Sequence, residues 1–93
     1  MIRGCKDRDT ERVWRREPTK KLSPSVRRAA LRRVLLLDAA EVLDDLRSPP
    51  GNLLEKLTGN RKGQHSIRIN DQWRICFRWE HGDAYDVGIT DYH

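Results

Sequence analysis

No stretch of about 18 apolar residues occurs anywhere in the 93-residue chain, and the opening MIRGCKDRDT lacks the apolar core of a secretion signal. Neither a membrane span nor an export signal is read, and the cytoplasm is the expected location. Cysteine is scarce: Cys5 and Cys76 are the only two, their spacing fits no zinc motif, and a reducing compartment keeps them as thiols. No metal site and no cofactor are expected. Ser-His-Asp order, GxGxxG and the Walker A loop are missing as well. GNRKG at 59–63 has two glycines and a lysine but neither the loop length nor the Lys-Ser/Thr ending of a phosphate loop. It reads as a hairpin turn whose Arg61 and Lys62 are placed to touch nucleic-acid backbone.

What the chain does have is positive charge, unevenly spread. Net charge is +5. Residues 1–47 hold 13 Lys+Arg against 8 Asp+Glu, whereas residues 48–93 hold 6 of each. Between Arg12 and Arg33 nine basic side chains face one acid, Glu17, dense enough to attract a polyanion through counterion release. A solvated helical face accounts for the same charge equally well. Hydrophobic residues make up 37% and charged residues 35%, enough apolar material for one modest core and a single domain over 1–93.

Apolar spacing divides the chain into a helical half and a sheet half. IRGC reads as a short strand, and DRDTERVWRRE as a weakly amphipathic helix with Val13 and Trp14 as its contacts. The main helix follows Ser23, a good N-cap, with Pro24 in the first helical position and Val26, Ala30, Val34 and Leu37 at helical spacing. Its opposite face carries Arg28, Arg32 and Arg33. The apolar pattern resumes at Val42, Leu43 and Leu46 after a break near Asp38, and SPPGN ends the helical half. NLLEKL reads as a short strand or an extended segment. QHSIRIN, QWRICFRW and AYDVGITDY then alternate with period two and are joined by ND and EHGD, which suits an antiparallel meander.

Alternation also sorts side chains by face. Ile67, Ile69, Trp73, Ile75, Phe77, Trp79, Tyr85, Val87 and Ile89 are expected on the face covered by helices. Arg68, Arg74, Cys76, Arg78, Thr90 and Tyr92 are expected on the uncovered one. Guanidinium groups suit phosphate and charge developing on it, although cross-strand pairing of these arginines with Glu80 and Asp86 is an equally ordinary use. His93 follows Asp91 closely, and anionic neighbours favour a protonated ring able to donate to a leaving oxygen. His65 and His81 have lower claims, as a sheet-surface residue and a turn residue.

Taken together, LEKLTGNRKGQHSIRINDQWRICFRW followed by DVGITDYH resembles the HigB toxins of bacterial toxin-antitoxin systems, within the RelE/ParE superfamily. The likeness runs motif by motif over residues 53–93 and extends to MIRGC and LLLDAAEVLDDLRSPPGN. It implies an α+β, microbial-RNase-like fold, with a small antiparallel sheet packed against an N-terminal helical hairpin. It also implies metal-independent cleavage of mRNA in the ribosomal A site, inhibition of translation and growth, and neutralisation by a HigA-type helix-turn-helix antitoxin. Operator DNA would be met only indirectly, through that antitoxin.

Carried over residue by residue, Arg74 matches an active-site arginine of the family, and Asp91, Tyr92 and His93 match its catalytic trio. Arg61, Lys62, Arg68, Arg78, Arg28 and Arg32 are the expected RNA contacts. The chain departs from the family where some members carry His and Lys in an LHPLKG stretch: here Glu55 and Thr58 stand at those positions. Glu55 becomes a candidate base, and a slower toxin is expected. Inhibition of DNA gyrase without catalysis, as in ParE relatives of the same fold, is the alternative, and a purely regulatory role in a repressor complex is a third.

Overall fold

Two capped helices and a four-stranded meander make up the computed structural model, which describes residues 1–91. Helix α1 (Arg8–Trp14) starts where the Asp7 carboxylate accepts the Thr10 N–H at 2.8 Å, with Asp9 and Glu11 in the first turn suiting its positive end. It buries Thr10 and Val13. Helix α2 (Pro24–Ala39) starts at Ser23, whose hydroxyl accepts the Val26 N–H at 3.3 Å, with Pro24 supplying the fixed φ of a first helical residue. Ala30, Val34 and Leu37 form its buried stripe. The pattern resumed at Val42 does not prolong α2. The Asp45 carboxylate captures the N–H groups of Glu41 and Val42 at 2.9 and 3.2 Å, and a separate 3-10 turn, Leu43–Arg47, carries Leu46 into the core.

The strands β1 (Glu55–Lys56), β2 (Gln64–Arg68), β3 (Trp73–Glu80) and β4 (Asp83–Asp91) pair antiparallel in sequence order. NLLEKL thus contributes only two residues of strand. Between β2 and β3 the Asn70 side chain accepts the N–H groups of Gln72 and Trp73, closing a local turn. Between β3 and β4 the two linking residues His81 and Gly82 both have positive φ, 51° and 81°, the backbone that a tight two-residue hairpin requires. IRGC runs parallel to β4 through bridges Ile2↔Ala84 and Cys5↔Val87, and Thr10 Oγ1 accepts the Ile89 N–H at 2.9 Å. These contacts cover much of the outer edge of β4.

One face of the sheet packs on the helices. Ile67, Ile75, Phe77 and Val87 are fully buried against Val13, Val34 and Leu37, each burial stabilising by roughly 1.5–3 kcal/mol. Two expectations about faces are corrected here. Tyr85 does not belong to this face: the register shifts between Cys76 and Arg78, Asp86 takes a φ of 52°, and the bulge reverses the alternation so that Tyr85 pairs with Arg78 and Ala84 takes the core position. His65, read as a sheet-surface residue, is half-buried. It lies on the helix-facing side and stacks on Phe77 with centroids 6.1 Å apart. Among the described residues no helix is long and apolar enough to cross a membrane.

Candidate active site

Strand register assembles the second face row by row. Glu55 pairs with Ser66 and Ser66 with Cys76; Arg68 pairs with Arg74 and Arg74 with Thr90; Gln64 pairs with Arg78 and Arg78 with Tyr85. Residues directly opposite share a face, so Glu55, Ser66, Arg68, Arg74, Cys76, Arg78, Tyr85 and Thr90 all stand on one surface. Its centre is not uncovered, contrary to the alternation reading: Arg74 and Cys76 are only 7% and 4% exposed. The segments on either side of β1 reach over this side: before it the Leu53 carbonyl meets Arg74, and after it Arg61 Nη1 lies 3.2 Å from Cys76 Sγ.

Arg74 is held from several sides. Its Nε donates to Ser66 Oγ at 2.8 Å, its Nη2 donates to the Leu53 carbonyl at 2.6 Å, and its Nη1 lies 3.9 Å from Glu55 Oε1. A charge taken out of water needs such partners. The Leu53 carbonyl is aimed by unusual backbone: Leu53 has a φ of 45° and follows a 3-10 turn, Pro50–Asn52. Asn52, fully buried, fastens that turn by donating to the carbonyls of Leu46 and Ser48 at 3.1 and 3.2 Å. A fixed guanidinium beside a half-exposed carboxylate can bind a phosphodiester at one point and take a proton at the next.

Of the other expected residues, Arg68 and Arg78 share this face and Arg61 reaches Cys76 on it, whereas Asp91, opposite Trp73, and Arg28 and Arg32, on α2, belong to the helix-covered side. Arg78 shares the face, but Glu80 holds it at 2.7 Å, Asp86 at 3.4 Å, and its guanidinium lies 4.8 Å from the Tyr85 ring centroid. The Glu80 hydrogen bond above all raises its pKa, and a phosphate must compete with both carboxylates. Arg68 is paired with Asp71. Lys62 is exposed beyond the turn at Gly59–Arg61. Asp91 sits at the end of β4 opposite Trp73, one residue past Thr90, and accepts from the Gln72 amide at 3.2 Å. Tyr92 and His93 lie outside the described residues. Arg28 and Arg32 are exposed on α2, away from the buried stripe of that helix. Arg28 also lines a cavity of about 220 Å³ with Val13, Arg16, Pro24, Arg27 and Leu31.

Three participants escaped the sequence reading. Ser66 had a signal, being a small polar residue between Gln64 and Arg68 on the same strand face. Tyr85 was hidden by the bulge. The Leu53 carbonyl left no trace in side-chain pattern at all, because it is backbone placed by a left-handed residue. Elsewhere, burial first and then the Lys56 charge lower the pKa of His65 below its ordinary 6.5, and burial first raises that of the Cys5 thiol. Both cysteines are free thiols.

Known proteins are similar to this sequence, one of them over nearly its full length. The HigB-like toxin family, described as the RelE-like toxin of type II toxin-antitoxin system HigB, matches residues 4–93. Toxin HigB-1 of Vibrio cholerae serotype O1 is 44% identical over 88 residues, 94% of this chain and 93% of that protein. Endoribonuclease HigB of Proteus vulgaris is 45% identical over 40 residues, 43% of this chain and 44% of that one. With an α+β fold that agrees, the chain belongs to the HigB-like family of RelE-like toxins from type II toxin-antitoxin systems.

Proposed function

We propose that the chain is a ribosome-dependent mRNA endoribonuclease of the cytoplasm, working without metal and neutralised by a HigA-type helix-turn-helix antitoxin. The observation that carries this reading is Arg74, nearly buried, oriented by Ser66 and Leu53, and 3.9 Å from Glu55. The name of the Proteus vulgaris relative, an endoribonuclease, supports the reaction class.

In the proposed reaction the RNA 2′-oxygen attacks the adjacent phosphorus as its proton passes to the base, for which Glu55 is well placed beside Arg74. The bond from phosphorus to the 5′-oxygen breaks, and His93 supplies the proton that oxygen takes. Products are a 2′,3′-cyclic phosphate and a 5′-hydroxyl. Arg74 stabilises charge on the phosphorane, Asp91 orients His93, and Tyr92 stacks on a nucleotide. Arg28 and Arg32 on α2, with Arg61, Lys62, Arg68 and Arg78, hold RNA backbone. The ribosome presents the message in a reactive geometry, a proximity effect that naked RNA lacks.

Induced expression in cells, followed by mapping of message 5′ ends, tests the proposal. New 5′-hydroxyl ends inside translated frames are expected, with naked message left intact in a parallel reaction. Growth arrest with intact message and gyrase-dependent DNA breaks would replace this reading by the gyrase one. Extensive cutting of naked message would remove the ribosome from it.

A further inference from the structure

Arg74 occupies a socket that other residues build for it, and the cost of that socket is visible in the backbone. Ser66 is fully buried in mid-strand, where a hydroxyl without a partner is unfavourable. Arginine has no acceptor, so the Ser66 oxygen must accept, and it does so from Nε at 2.8 Å. On the loop side, Leu53 holds a left-handed conformation, φ 45°, that a leucine rarely adopts. Such conformations persist where the surroundings over-determine them, and they cluster at functional sites. Here the surroundings are the buried Asn52 amide, tied to Leu46 and Ser48, and the product is a carbonyl 2.6 Å from Arg74 Nη2.

The Ser66 hydroxyl accepts from Nε and the Leu53 carbonyl from the neighbouring Nη2, with the Ser66 carbonyl 3.4 Å from the same Nη2, so together they fix the plane of the guanidinium as well as its position. Nη1 is then directed to the Glu55 side. The structure assigns to Ser66 and the Leu53 carbonyl the role of positioning Arg74: they set the angle at which its guanidinium meets a phosphate, and neither touches the substrate. This role rests on the proposed phosphodiester chemistry for its consequence in catalysis, but the socket itself can be tested in the free protein.

Two readouts keep the socket and the reaction apart. In the free, full-length protein, hydrogen exchange of the Arg74 Nε–H is followed by NMR. Ser66→Ala is expected to speed it by about tenfold, the loss of roughly one hydrogen bond, and Ser66→Thr, which keeps the hydroxyl, to restore protection. On programmed ribosomes, Ser66→Ala is expected to lower kcat by about 10- to 100-fold, as for a misplaced reacting group, with KM within about twofold because the cation is still present. The double variant Ser66→Ala/Arg74→Ala should be no slower than Arg74→Ala alone, since Ser66 acts only through Arg74. Unchanged Nε–H exchange in Ser66→Ala, or losses that multiply in the double variant, would overturn the assignment. A wild-type protein that cuts no message while the exchange result holds would leave the socket standing and remove the endoribonuclease reading instead.

Discussion

Replacing Glu55 by Gln separates a structural from a chemical role for this residue more cleanly than any other single change. The Glu55 side chain is 51% exposed and 3.9 Å from Arg74, a pair of the kind worth about 0.2–1 kcal/mol in stability. In a domain of this size that loss shifts the melting temperature by no more than about 4–8 °C, and Gln keeps the volume and a hydrogen-bonding oxygen. Loss of a general base, by contrast, slows a reaction by roughly 10²- to 10⁴-fold, or about 2.7–5.4 kcal/mol of barrier. The two outcomes therefore differ by several kcal/mol. The assay is single-turnover cleavage of labelled message on purified ribosomes, with melting curves of the same preparations. A variant that melts within that range but cleaves at least about 100-fold more slowly fits Glu55 as base. Glu55→His, which places an imidazole beside Arg74, is expected to cleave faster than wild type. Cleavage by Glu55→Gln at the wild-type rate would take Glu55 out of the mechanism.

Further outcomes follow from the same geometry. Asn52→Ala removes both bonds that fasten the loop before Leu53 and should cost about 1–3 kcal/mol in chemical denaturation, partly offset because Asn52 Oδ1 is itself buried without a partner among the described residues. His65 has a buried Nδ1 and a pKa held below 6.5, so the unfolded chain binds the proton first as pH falls. Stability is then full above about 6.5 and declines from there down to the lowered folded value, and denaturation at about pH 7.5 and about pH 5.5 should show a larger loss for wild type than for His65→Gln. Charge reversal of exposed Arg28 and Arg32 should leave folding intact, weaken ribosome binding, and reduce the slope of log affinity against log salt by about one per residue.

Much of the fold was legible because local chemistry and periodicity agree. Ser23 and Pro24 marked the start of α2, and unbroken alternation through QWRICFRW placed Ile75 and Phe77 inside and Arg74, Cys76 and Arg78 opposite. Where the reading failed, a backbone irregularity intervened. One bulged residue, Asp86, reversed the parity of β4 and moved Tyr85 beside Arg78. Leu53 before β1 and Arg61 after it reach over the second face, so Arg74 is buried where alternation alone suggested an open surface. Arg74 was singled out by its resemblance to a family motif, and Glu55 as the place where the chain departs from one. Their support was less legible: Ser66 is an ordinary strand serine in sequence, and a carbonyl aimed by a left-handed leucine has no side-chain signature.

End-group analysis of message cut on purified ribosomes tests the central claim most directly, with wild type and Arg74→Ala compared side by side. A 2′,3′-cyclic phosphate paired with a 5′-hydroxyl, produced by wild type and nearly lost in a folded Arg74→Ala, is the predicted result. Intact message, or cuts made equally well without Arg74, would contradict it.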